Sequence, residues 1–231
     1  MQKLLKKGLS DLSLDVTKAE TLEQFARRML EKNEVMNLTR ITEPTAVAQL
    51  HLLDSAMLLK FADFRGKNVV DVGTGAGFPG MPLRILEPDF DLTLLDSLGK
   101  RVEWLQETCN ALGLSRVDCV HARAEEFAAD RRESFDLVTS RAVANLQMLS
   151  ELCLPLVKVG GQFLAMKGVD SEEEISAAKN AIKTLGGQII AVEDYRIPTS
   201  DVTHRLVIIK KIAPTPKGYP RAFAKIKKLP L

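Results

Sequence analysis

The chain has 231 residues, 45% hydrophobic and 27% charged, the composition of a soluble globular protein, which most simply forms one domain of about 150 to 200 residues with an appendage. No stretch reaches the ~18 uncharged apolar residues of a bilayer span, and the N-terminus MQKLLKKGLSDLSLD runs into charge before a signal-peptide core forms, so a cytoplasmic protein with no membrane partner is expected. Net charge is only +2, and the three cysteines, with no C-x-x-C pair and only His121 nearby in sequence, argue against a disulfide framework and against a zinc or other metal site.

Residues 1–64 read as a helical extension. Thr17 to Glu20 matches the capping box S/T-x-x-E, and Leu22, Phe25, Met29 and Leu30 come next at helical spacing. After a break at Asn37-Leu38-Thr39, Pro44 can open a second helix whose apolar stripe is Val47, Leu50, Leu53, Met57 and Leu58. His51, Asp54 and Ser55 share a face beside that stripe, and their spacing alone predicts a hydrogen-bonded helix surface.

The rest of the chain is organised around the stretch from Gly66 to Gly80, GKNVVDVGTGAGFPG: a β-branched run (Val69, Val70, Val72), a glycine turn, then a helix-compatible segment. Glycines at 73, 75 and 77 allow left-handed backbone and close approach of a ligand. The dinucleotide fingerprint G-x-G-x-x-G would need glycine where Phe78 stands, so a pyrophosphate fits poorly. Asp96 ends the next strand, DLTLLD, about 20 residues on, where a carboxylate can accept ribose hydroxyls. With Asp71 before the turn, two carboxylates around a phosphate-free nucleoside suit a cationic cofactor, and S-adenosylmethionine carries a sulfonium. The alternative is an ordinary glycine-rich turn in a parallel sheet.

Beyond it, strands are expected at 117–121, 135–139, 162–166, 188–194 and 204–210, with helices at about 98–112, from the 140s to near 157, and at 171–185. The alternation implies a doubly wound α/β sheet whose last two strands can pair antiparallel, filling a domain of residues 65–211. Ligands bind outside the carboxyl ends of such strands, which here carry 73–78, Asp96, Ala124 with Glu125, Arg141 and Lys167. From Lys210 to Leu231 there are seven basic residues and no acid, so residues 212–231 form a basic tail. Lys217, Arg221, Lys225, Lys227 and Lys228 are its candidates for nucleic-acid phosphates; a solvated, frayed end is the other reading.

Asn37-Leu38-Thr39, His51-Leu52-Leu53-Asp54-Ser55, DVGTGAGFPG, LLDS with Lys100, RAEE at 123–126, FDLVTSRAVA at 135–144, Lys167-Gly168 and Tyr219-Pro220-Arg221 together resemble the bacterial small-subunit rRNA methyltransferase G family, also called GidB. The resemblance runs from the first helices to Arg221 and implies a Rossmann-like class I methyltransferase with a seven-stranded, mostly parallel sheet. It further implies methyl transfer from S-adenosylmethionine to N7 of a guanine in the decoding-region loop of 16S rRNA; the expected partner is 16S rRNA or a small-subunit precursor, and the expected state is a monomer. The family's cofactor contacts fall on Gly73, Phe78, Ala124, Glu125 and Arg141; Asp71, Gly75 and Asp96 join them from the reading of the turn. The tail departs from the family after Arg221, reading AFAKIKKLPL where a further Arg, Gly and Pro are usual.

Guanine N7 has a free lone pair and no proton to lose, so positioning can carry the reaction. The chain has no N/D-P-P-Y/F motif for an exocyclic amine and no Pro-Cys nucleophile for a pyrimidine carbon. Arg141 is expected to orient the cofactor carboxylate or guanine O6 without acting as a base, adenine to lie against Phe78 and the 124–125 backbone, and Arg40 and Arg84 to add phosphate contacts. Two readings compete: a methyltransferase of the same fold acting on a small molecule or protein, and a non-catalytic cofactor-sensing module on the ribosome.

Overall fold

The computed structural model describes residues 1–141 and 144–231; Ala142 and Val143, inside the FDLVTSRAVA motif, lie outside the described residues. Helix α1 (Gln2–Asp11) leads to a 3-10 turn, Val16–Lys18, and to α2 (Ala19–Met36). The cap of this region is Asp15 rather than Thr17: its carboxylate accepts from Thr17 N at 2.9 Å and from the Thr17 hydroxyl at 2.7 Å. An aspartate just before the box thus outcompetes the threonine by engaging it. Pro44 does open the next helix, with Glu43 accepting from Thr45 N and Ala46 N. There α3 (Pro44–Val47), a π-helical turn (Ala48–Leu53), α4 (Asp54–Ala56) and a 3-10 turn (Met57–Lys60) succeed one another without a break.

The remainder alternates: β1 (Asn68–Val72), α5 (Gly80–Leu86), β2 (Asp91–Asp96), α6 (Gly99–Ala111), β3 (Val117–His121), α7 (Ala124–Asp130), β4 (Phe135–Arg141), α8 (Leu146–Cys153), β5 (Val157–Gly168), α9 (Glu172–Thr184), β6 (Gly187–Arg196), β7 (Thr203–Lys211) and α10 (Phe223–Lys228). The sheet has seven strands in the order β3-β2-β1-β4-β5-β7-β6, all parallel except β7, which runs against both neighbours. The expected doubly wound, mostly parallel architecture is therefore present. Strand β5 starts earlier than expected, because Gly160 and Gly161 sit within it: Phe135 pairs with Val157 and Leu137 with Gln162, so the extra residues bulge instead of turning.

Alternation along the strands builds two cores. Val69, Leu94, Leu137, Leu164 and Leu206 face Leu5, Leu9, Leu22 and Phe25 of the N-terminal helices, while Val70, Val138, Phe163 and Val207 face Leu149, Ala178 and Ile182. The direction of winding reverses between β1 and β4, where Asp71 pairs with Thr139, and that is where a crevice must open.

The tail is not a frayed end. Arg132 donates to the carbonyls of Thr215, Pro216 (3.1 Å) and Tyr219 (2.6 Å), and Arg221 grips Glu151 of α8 through Nε at 2.7 Å and Nη2 at 2.6 Å. Ile226 is wholly buried in the second core. Among the described residues no helix is long and apolar enough to cross a membrane.

Candidate active site

The glycine turn is clamped from beneath. Asp71, the penultimate residue of β1, points into the protein, fully buried, and accepts from Thr74 Oγ1 (2.7 Å), Gly80 N (2.9 Å) and Thr139 Oγ1 (3.2 Å). Burial pushes its carboxyl up to about 6 against the pull of those donors. Asp71 lines neither of the two cavities that open above the turn; in place of the expected cofactor contact it ties both ends of the turn to the sheet.

Above the clamp, Gly77 has φ of +90°, and a Cβ there would stand 2.6 Å from Met81 Cγ. At Gly75, with φ of +59°, a Cβ would meet the Gly73 carbonyl oxygen at an unstrained 3.9 Å, so the backbone conformation and not crowding asks for glycine there. Asp96 completes the rim: Oδ2 accepts from Gly75 N and Oδ1 from Leu98 N, each at 2.9 Å, with Arg101 at 3.8 Å.

Two cavities meet at this rim. The larger, about 700 Å³, is lined by Gly73, Gly75, Phe78, Asp96 and Arg141 together with His51, Asp54, Lys167 and His204. The smaller, about 200 Å³, shares Gly73, Asp96 and Ser97 with it and is closed by Ala124, Glu125 and Phe223. Every other residue expected to hold the cofactor is thus brought to one cleft. The cleft suits a nucleoside with an extended substituent: an acid stands where the cavities join, and a glycine opens the turn toward them.

The far end is not legible in the sequence as a site. Asp54 is fully buried and accepts from Arg141 Nη1 at 3.0 Å, Tyr195 Oη at 2.9 Å and His204 Nδ1 at 2.9 Å. Desolvation alone would raise its carboxyl; His204, Arg141 and Tyr195 together hold it below the ordinary value. Arg141 also donates to Leu50 O (3.0 Å) and to His51 Nδ1 (3.1 Å). Because a guanidinium only donates, His51 Nδ1 accepts, and Nε2 carries the proton toward Thr39 Oγ1 at 2.9 Å. Burial and the Arg141 charge push His51 down to about 4, so it is neutral near pH 7. The expected helix surface is therefore a buried polar network, because the rod at 44–60 packs its polar side against β4, β6 and β7.

Three further expectations change. One face of Phe78 is covered by His51, stacked at 4.6 Å, and Arg141 lies 5.0 Å from its ring centre, so Phe78 orders the network at the far end of the larger cavity. Arg84 is buried and donates to Ser115 O at 2.7 Å and 2.9 Å, which removes it from the RNA surface. Arg221 spends its guanidinium on Glu151, whereas Lys217, Lys225, Lys227 and Lys228 are exposed.

Residues 18–202 match the model of the GidB family, described as rRNA small subunit methyltransferase G. The chain belongs to that family. It is a methyltransferase of small-subunit rRNA that uses S-adenosylmethionine, as the motifs implied. It is 45% identical over 233 residues to the ribosomal RNA small subunit methyltransferase G of Clostridium beijerinckii, covering 99% of this chain and 98% of that one. The like-named protein of Alkaliphilus oremlandii is also 45% identical, covering 100% and 99%. Among solved structures, a SAM dependent methyltransferase from Aquifex aeolicus (TM-score 0.54, 16% identity, 75% of this chain and 96% of that one) has the same fold. So does M. jannaschii TYW2 in complex with AdoMet (TM-score 0.54, 15% identity, 74% and 77%).

Proposed function

We propose that this methyltransferase acts on N7 of a guanine in the decoding-region loop of 16S rRNA, in the cytoplasm and as a monomer. The observation that carries the reading is the chemistry of the larger cavity. The Asp54 oxygens are occupied by Arg141, Tyr195 and His204, those of Asp96 by backbone amides, and both nitrogens of His51 are engaged. Such a cavity positions more than it deprotonates, which suits an acceptor with a free lone pair.

S-adenosylmethionine supplies an electrophilic methyl on a cationic sulfur. The chain's part is orientation. Asp96, at the junction of the cavities, is placed for the ribose hydroxyls, and Ala124 and Glu125 for the adenine edge. Arg141 has both Nη1 hydrogens committed to Leu50 and Asp54 and one Nη2 hydrogen to His51. Its Nε–H and second Nη2–H, the edge that grips a carboxylate or a carbonyl, have no partner among the described residues. That edge can hold the donor's carboxylate or guanine O6 while leaving N7 free.

The test is transfer of labelled methyl to small-subunit rRNA and particles from cells lacking the gene, with subsequent cleavage at N7-methylguanine. A single labelled guanine in the decoding-region loop is expected. Label at another atom, with transfer intact, would overturn the N7 assignment.

A further inference from the structure

The smaller cavity has a wall that no motif of the methyltransferase domain supplies. Phe223, the first residue of α10, lines it together with Gly73, Asp96, Ala124 and Glu125. The ring is half-buried, and the Arg123 guanidinium lies 5.7 Å from its centre.

Anchors on both sides fix its position. Two residues earlier, Arg221 binds the fully buried Glu151 through its backbone N (2.9 Å), Nε (2.7 Å) and Nη2 (2.6 Å). Three residues later, Ile226 is wholly buried against the second core. A ring held this way offers a face whose ordering cost is already met before a ligand arrives. The rest of the cavity lining sets apolar side chains, Leu95 and Leu152 among them, beside Ser97, Arg123 and Glu125 around an acid suited to a ribose, and aromatic faces bind bases by stacking.

We propose that the C-terminal segment is part of the donor site: Phe223 covers the adenine of the bound nucleoside, and the Arg221–Glu151 pair holds it in place. This rests on the reading that the cleft binds S-adenosylmethionine. It gives the tail a role separate from RNA contact and ties donor affinity to residues outside the glycine turn.

The test is calorimetric titration of the full-length chain with S-adenosylhomocysteine. Phe223→Ala should weaken binding about ten-fold or more, and Phe223→Leu, which keeps most of the packing against the second core, should weaken it less. Phe223→Trp adds an indole at the wall, whose emission S-adenosylhomocysteine should quench; the native Trp104 is buried and gives a constant background. Affinity within about two-fold of the unsubstituted protein in both the Ala and Leu variants, or an indole insensitive to bound ligand, would overturn the proposal alone. If the unsubstituted, folded protein fails to bind S-adenosylhomocysteine, the donor reading falls and the proposal with it.

Discussion

Asp54 and Arg141, 87 residues apart in the chain, meet at 3.0 Å with the carboxylate fully buried and the guanidinium side chain 15% exposed. The pair fixes Arg141 from behind, so that its position depends on the rod at 44–60 and on β4 together. Asp54→Asn keeps the shape but leaves a buried cation without its counter-charge. We expect stability to fall by about 3 kcal/mol and turnover to fall at least 100-fold, with S-adenosylhomocysteine affinity changed much less. Denaturant titration and single-turnover transfer read the two effects, and undiminished turnover would remove Asp54 from the positioning of Arg141.

Asp71 gives a pH signature of the turn. Its carboxyl is raised from 3.8 to about 6 in the folded protein. An acid raised on folding contributes stability that is full below the unfolded value and lost as pH rises through the folded one. Between pH 4 and 6 Asp71 therefore disfavours the folded state increasingly, by about 3 kcal/mol at completion. Asp71→Asn can still accept from Gly80 N and Thr74, so its melting midpoint relative to the unsubstituted protein should rise steadily across that window. A difference that does not vary with pH would show that Asp71 is not raised.

The site's hydrogen bonding predicts a flat rate profile. His51 is neutral above about pH 4, and Asp54 and Asp96 are engaged. Single-turnover methyl transfer should change less than about two-fold from pH 6 to 9, since the proposed acceptor, N7, loses no proton. His204 turns Nδ1 to Asp54 and lines the same cavity, which makes it the residue to check. A rate that rises with unit slope near pH 6 to 7, and loses that limb in His204→Gln, would identify a general base and redirect the reaction to an acceptor that must be deprotonated.

The strands, the glycine turn and the placing of Asp96, Ala124 and Glu125 are legible in the sequence because they come from local period and from the rule that parallel strands carry their site at one end. The network of Asp54, Tyr195 and His204 is not. On its own helix Asp54 looks like a solvent-facing acid, and its partners lie 141 and 150 residues away, on strands whose pairing only the finished sheet determines. One signal is available: an acid flanked by Leu52, Leu53, Ala56 and Met57 sits in a stretch too apolar for a surface. The tail misleads for the reverse reason. Its lysines suggest solvent, but Phe223 and Ile226, three residues apart, form the small apolar face of a docked helix. The partner of Arg221, Glu151, is 70 residues away on α8.

The same tail separates charge left to solvent from charge that holds the fold. Lys225, Lys227 and Lys228 are exposed and form no ion pair among the described residues, while Arg221 is 12% exposed and seated on Glu151. Replacing the three lysines with glutamine should lower the slope of log affinity for the rRNA fragment against log salt by about 2, with melting midpoint and S-adenosylhomocysteine affinity unchanged. Arg221→Ala should do the opposite: it leaves the buried Glu151 without its counter-charge, holding only the backbone N–H of residue 221, and costs about 3 kcal/mol of stability, while the salt slope holds. Arg221→Lys should recover little of it, because an ammonium cannot reproduce the Nε and Nη2 fork on both carboxylate oxygens. Salt-dependent filter binding and denaturant titration on the same four proteins decide the matter. If Arg221→Ala instead flattens the salt slope at unchanged stability, Arg221 leaves Glu151 for a phosphate when RNA binds, and the anchoring role fails.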